Sequence, residues 1–166
     1  MTFPMRVLYV EDSVEVCKFV QTTLGENEIA VDCVGTLAEA RERLSSSTAP
    51  SYDILLVDLI LPDARDVEAV EALAPYRIPM VVVSGVVEPA ILAAAARAGA
   101  NDYLTKPGLS PSTLLSRIHF VHSRHLAQTE AVASARHTKR KRMSVDTFEA
   151  VKPFISYSTS PFQMAG

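Results

Sequence analysis

Asp53-Ile54-Leu55-Leu56-Val57-Asp58 is the stretch on which the reading of this chain turns. Four apolar residues run unbroken between two aspartates. So short an apolar run, bounded by polar residues, predicts a strand buried on both faces, as in parallel sheets. Such a strand leaves Asp58 at its carboxyl end, the edge where open α/β sheets hold ligands. Leu61-Pro62-Asp63 then turns the chain into a loop.

On the amino-terminal side, Arg6-Val7-Leu8-Tyr9-Val10 is a second apolar run and predicts the first strand, ending in Glu11-Asp12. Ser13 is a helix cap. Val16, Cys17, Val20 and Leu24 follow at helical spacing, and Gly25 stops the helix. Ile29 to Val34 predicts a more peripheral strand. Thr36 with Glu39 opens a second helix as a capping box, and Ser45-Ser46-Ser47-Thr48 closes it. On the carboxyl-terminal side, residues 66–74 predict a short third helix closed by Pro75. Pro79-Met80-Val81-Val82-Val83 is a strand with Ser84-Gly85 at its end. Residues 88–98 predict an alanine-rich helix, Asn101 to Leu104 a fifth strand, and Ser110-Pro111 the cap of a fifth helix. Leu114, Leu115, Ile118 and Val121 mark that helix's buried face. Five strands alternating with five helices predict an α/β fold with a doubly wound parallel sheet. Right-handed crossovers put helices on both faces.

In a parallel sheet the carboxyl ends of the strands share one edge. Glu11, Asp12, Asp58, Ser84 and Lys106 are thereby brought towards a single cleft. Three carboxylates close together repel and call for a cation. Oxygen ligands favour a hard divalent ion, and Mg²⁺ is the expectation. A hydroxyl and an ammonium complete a site for a phosphoryl group.

At these residues the chain resembles a response-regulator receiver domain of two-component signalling, of the chemotaxis-regulator type. The matching segments are Val10-Glu11-Asp12, Val57-Asp58 with Pro62 beyond it, Val83-Ser84-Gly85, and Asp102-Tyr103-Leu104-Thr105-Lys106-Pro107. The resemblance spans roughly residues 5–123. It implies a flavodoxin-like sheet of order 2-1-3-4-5. It implies Asp58 as the nucleophile that takes a phosphoryl group from a sensor histidine kinase. Asp12, Asp58 and the Ile60 carbonyl would hold Mg²⁺ directly, and Glu11 through a water. Lys106 would pair with a phosphate oxygen. Ser84 and Tyr103 would form the switch pair, and the Lys106–Pro107 bond would be cis. The two-state surface would be helix four, strand five and helix five. One departure is Asp66, at the family's usual glycine position; the loop after Asp58 would change shape, or Asp66 would cap the third helix. Ser84 in place of the commoner threonine keeps the hydroxyl.

Other readings fit less well. A haloacid-dehalogenase-type phosphohydrolase needs an aspartate two residues after the nucleophile, and Ile60 stands there. There is no G-x-x-x-x-G-K-[ST] and no G-x-G-x-x-G to cradle a nucleotide. His119, His122 and His125, three apart on one helix, suit a solvent-facing or interface stripe better than a metal site. Cys17 and Cys33 are too few for a metal framework and read as small buried hydrophobes.

The chain has 166 residues, 48% hydrophobic and 21% charged, which suits one domain and an appendage. No apolar run approaches the roughly 20 residues of a membrane span. With no signal peptide evident, the expectation is a cytoplasmic protein without membrane contact. Residues 1–123, the expected receiver, hold 9 Lys and Arg against 16 Asp and Glu, net −7. Residues 124–166, the expected extension, hold 7 against 3, net +4. Helix five is expected to continue through Leu126, Ala127, Ala131, Val132 and Ala135. Arg136-His137-Thr138-Lys139-Arg140-Lys141-Arg142 follows as a basic run, solvated and flexible in the plainest reading. Phe148, Phe154, Tyr157 and Phe162 would fold back onto a protomer or swap between two.

The expected function is a stand-alone response regulator in a phosphorelay, signalling by protein–protein contact. It would catalyse only its own phosphotransfer and dephosphorylation. Its partners would be a sensor histidine kinase, a phosphotransfer protein, or a second copy through helix four, strand five and helix five or through the extended helix. The alternative is a nucleic-acid-binding transcriptional regulator with the basic tail as output. A degenerate receiver that takes no phosphate is disfavoured by the intact Asp12, Asp58, Ser84 and Lys106.

Overall fold

A computed structural model describes residues 5–85 and 88–155, with side chains described as far as residue 142. The chain divides into two compact units, residues 1–125 and 126–166.

The first unit is built on five strands: β1 (Met5–Val10), β2 (Ile29–Val34), β3 (Ile54–Val57), β4 (Met80–Ser84) and β5 (Asp102–Thr105). All neighbours pair in parallel, in the order β2-β1-β3-β4-β5. Val10 lies opposite Val57, and Val57 opposite Val82, so the carboxyl ends of the three central strands line up. Alternate side chains of each strand enter opposite layers. Leu8, Val10, Leu55, Val57, Met80 and Val82 face one layer. There they meet α2 (Leu37–Ser45), α3 (Glu68–Leu73) and α4 (Pro89–Ala98). Val7, Tyr9, Ile54, Leu56, Val81 and Val83 face the other. There they meet α1 (Val14–Gly25) and the start of α5 (Pro111–Ile155) through Cys17, Val20, Leu24, Leu114, Ile118 and Val121. Each large side chain so buried contributes about 1.5–3 kcal/mol. The expected sheet, its order and its two helical layers are all present.

The caps form where the sequence places them. Ser13 Oγ accepts from Val16 N at 3.4 Å, and Thr36 Oγ1 from Glu39 N at 3.1 Å. Glu39 Oε2 reaches back to accept from Gly35 N at 2.7 Å. The third helix is shorter than expected. It covers Glu68–Leu73, and a 3₁₀ turn at Ala74–Tyr76 takes in Pro75.

Asp66 does not cap that helix. The N-cap is Val67, and no side chain bonds there. Instead Asp66 takes φ +52°, the left-handed region that glycine enters freely. Aspartate tolerates this region better than most residues, which accounts for its substitution at the position. Asp66→Val is therefore expected to lower stability by about 1–2 kcal/mol, read as a shift in urea midpoint at unchanged slope. A variant as stable as the parent would show that this backbone geometry is not constrained.

The loop after Asp58 holds an unforeseen two-residue ribbon, Ile60–Leu61 paired antiparallel with Ala64–Arg65. At its tip Asp63 accepts from Leu37 N at 2.8 Å and Ala38 N at 2.9 Å. A loop carboxylate thus caps α2 from outside and ties the loop down. Desolvation acts to raise the Asp63 pKa, but the two backbone hydrogen bonds prevail and hold it below the usual carboxylate value. The stability this contact gives is therefore present above about pH 3.9, the unfolded value, and is lost as pH falls through the lower folded value. Asp63→Ala should cost about 1 kcal/mol near neutrality, kept small by solvent screening. The deficit should shrink in acid; an equal deficit at pH ~3 and pH ~7 would deny the charge any part in it.

In the second unit, residues 126–155 are helical, and every side chain from 126 to 142 is exposed. The basic run is therefore helical, and its side chains are exposed. The side chains of Phe148 and Phe154, and Tyr157 and Phe162 entirely, lie outside the described residues. Among the described residues no helix is long and apolar enough to cross a membrane.

Candidate functional site

The two acidic elements arise from the sheet itself. Glu11 N donates to Val34 O at 2.9 Å, and Asp58 N to Val10 O at 3.0 Å. These bonds extend the ladders one residue past β1 and β3. They hold Glu11 and Asp58 in the buried sheet edge, at 2% and 3% exposure. Asp12, one residue further, is exposed. Ligand oxygens of Glu11, Asp12 and Asp58 lie within 4.8 Å of one another.

Lys106 follows β5 and enters this cluster. Its Nζ donates to Asp58 Oδ2 and lies against Glu11 Oε2, each at 2.6 Å. Burial acts to lower the pKa of the ammonium, but hydrogen bonds and charge from Asp58 and Glu11 outweigh it and raise the pKa above its ordinary value. Three carboxylates against one ammonium leave a formal charge of −2 and an all-oxygen donor set. That set fits a hard cation, and the residues present are compatible with one.

The carboxylates are not equivalent. Glu11 Oε2 accepts from Tyr9 Oη at 3.0 Å as well as facing Lys106, and Oε1 accepts from Ser13 N at 2.9 Å. Glu11 is therefore fully engaged, while Asp12 is open to solvent. Asp58 Oδ1 accepts from its own loop, Ile60 N, at 3.2 Å. Burial, then the Glu11 charge, raises the Tyr9 phenol pKa, which keeps it a donor. Tyr9 escaped the sequence reading because it sits inside an apolar run. The signal available was its position two residues before Glu11, on the same face of the strand.

Ser84 is fully buried at the end of β4 and is paired in register with Thr105. Tyr103, on β5, is half-buried, and its hydroxyl is shielded, with no hydrogen-bond partner among the described residues. Burial and then the Asp58 charge raise its pKa. The Lys106–Pro107 bond is trans, against the cis expectation; no cis peptide occurs among the described residues. The lysine's approach is set by the 3₁₀ turn Lys106–Gly108. The trans form is the intrinsically favoured one for an X–Pro bond.

His119, His122 and His125 lie on α5; among the described residues the one group able to gather three metal ligands is Glu11, Asp12 and Asp58. Cys17 is buried and Cys33 half-buried, both free, and burial pushes both thiols up, away from reactivity. A cavity of about 600 Å³ lined by Val34, Gly35, Glu39, Arg43, Thr48 and Pro50 shares no residue with the carboxylate cluster.

A family model described as a response regulator receiver domain matches residues 7–119. A probable transcriptional regulatory protein, y4xI of Sinorhizobium fredii, is 34% identical over 116 residues, covering 69% of this chain and 49% of that protein. The KDP operon transcriptional regulatory protein KdpE of Escherichia coli is 34% identical over 124 residues, covering 74% and 53%. The chain thus spans about half the length of these curated relatives. A CheY-like receiver domain protein from Methanospirillum hungatei superposes with a TM-score of 0.68 at 22% identity, covering 75% of this chain and 98% of that one. That likeness concerns the fold.

Proposed function

Because the chain belongs to the response regulator receiver family, we propose that it accepts a phosphoryl group on Asp58 from a sensor histidine kinase and signals through altered protein contacts. The observation that carries this reading is the buried Asp58 carboxylate held at 2.6 Å by Lys106 beside two further carboxylates.

An Asp58 oxygen attacks phosphorus as the phosphorus–nitrogen bond of a phosphohistidine breaks; the histidine regains a proton and Asp58 becomes an acyl phosphate. Lys106 already touches the attacking carboxylate, so its ammonium follows the charge onto the phosphoryl oxygens. The residues that would hold Mg²⁺ are Asp12, Asp58 and the Ile60 carbonyl, with Glu11, occupied by three donors, acting through water. Bound there, Mg²⁺ supplies positive charge against the transferring phosphoryl oxygens. Ser84 donates its hydroxyl to a phosphoryl oxygen, and Tyr103 moves with it. The new charge of about −1.5 to −2 then biases the surface formed by α4, β5 and α5.

Exposed Phe19 and half-buried Val16 on α1 adjoin Lys106 and Leu109 at a small groove, which suits the kinase or a phosphotransfer protein. In this reading residues 1–123 are the receiver and 124–166 an extension. It works in the cytoplasm, where free thiols persist, and turns over no substrate besides its own phosphoryl group.

Incubation with acetyl phosphate, with Mg²⁺ or with EDTA, tests this reading. Intact mass should show one phosphoryl adduct with Mg²⁺ and none in EDTA, with a changed elution volume in size-exclusion chromatography. An equal adduct in EDTA would remove the metal from the mechanism. An unchanged elution volume would remove self-association as the output.

A further inference from the structure

None of the residues assigned to phosphotransfer lies on the basic helix of the second unit. Arg136, Lys139, Arg140, Lys141 and Arg142 put five cations in seven helical positions, all exposed. From residue 131 to 145 the sequence holds no Asp or Glu. Arg136, Lys139 and Arg140, at i, i+3 and i+4, share a helix face, and Arg142 adjoins it three residues beyond Lys139. Like charges at this spacing repel and weaken a bare helix. A helix that carries them gains from a polyanion.

The chemistry distinguishes between polyanions. Across residues 133–142 the apolar side chains are only Ala133 and Ala135, too little to enter a bilayer. No Phe, Tyr or Trp occurs from 121 to 147, so nothing is present on which single-stranded bases could stack. Seven helical residues rise about 10 Å, so five cations approach the density of duplex DNA, one charge per about 1.7 Å. A helix about 10–12 Å across enters a B-form major groove about 12 Å wide, whereas the A-form groove is deep and narrow. We propose that residues 136–142 form a duplex-DNA-binding helix that engages the phosphate backbone. This interaction surface does not depend on the Asp58 chemistry.

Full-length protein is titrated against a labelled mixed-sequence duplex by fluorescence anisotropy across about 50–200 mM salt. Four to five phosphate contacts predict a log–log salt slope of about −4. A variant with all five cations changed to glutamine keeps a helix former at each site. It should bind at least about 100-fold more weakly at the lowest salt, with its slope near zero. Its circular dichroism and its labelling by acetyl phosphate should match the parent, showing that both units remain folded. Duplex binding that is absent, or unchanged in the variant, overturns the proposal. So does binding confined to anionic vesicles, which would assign the helix to a membrane surface.

Discussion

Asp58→Asn is expected to abolish phosphoryl acceptance while leaving the fold in place. The amide has nearly the shape of the carboxylate but lacks the anionic oxygen that must form the new bond to phosphorus. Stability should change by no more than about 1 kcal/mol. Lys106 keeps Glu11 at 2.6 Å, and removing one of three crowded negative charges relieves repulsion. Labelling from radioactive acetyl phosphate or from a phosphorylated kinase should fall to background, a loss of at least about 1,000-fold. Labelling at the parent rate would place the acceptor elsewhere.

Lys106→Met is expected to have the second largest effect, and on two properties. Its Nζ stands 2.6 Å from two carboxylates that are themselves almost wholly buried. Removing it leaves those charges facing each other without a cation. Breaking a buried ion pair from one side costs about 3–5 kcal/mol. The lower end applies, because a quarter of the lysine side chain remains exposed. Phosphoryl acceptance should fall about 100- to 1,000-fold, the usual effect of losing one charge-stabilising donor. A divalent cation should recover part of the lost stability without restoring the rate. Metal-free unfolding in urea identical to that of the parent would mean the two contacts contribute nothing to the fold.

The sheet was legible because its strands are continuous apolar runs closed by polar residues. Leu55 and Val57 face one layer and Ile54 and Leu56 the other, so both faces are buried and the run has no polar alternation. Strand order followed from the family resemblance, since a periodicity of two says nothing about which strand lies beside which. Glu11, Asp12, Asp58, Ser84 and Lys106 were legible as strand-end residues. The sharing of Lys106 between Glu11 and Asp58 is not legible, because side-chain contacts across 48 residues or more leave no local pattern; the support of Glu11 by Tyr9, only two residues away, is hidden because Tyr9 reads as one more apolar residue of its strand. In sequence Asp63 is only a loop residue after Pro62. Its role as a cap for α2 depends on a ribbon of two residues per strand, too short for any alternation to register. Asp66 is recognisable in sequence as a departure; of the two compensations it suggests, the cap on α3 does not form, and Asp66 meets the turn by its own left-handed backbone. Helix α5 continued past Ala135 because Arg and Lys are good helix formers, and the charge of the run masked that propensity.

The central claim is that the acyl phosphate forms on Asp58. It is tested most directly by phosphorylating the protein with acetyl phosphate and Mg²⁺, reducing the product with borohydride, and mapping the peptides. Borohydride converts an aspartyl phosphate to homoserine. Homoserine at residue 58, absent when acetyl phosphate or Mg²⁺ is left out, is the predicted result. Homoserine at another aspartate, or a stable adduct that borohydride does not reduce, would contradict the account.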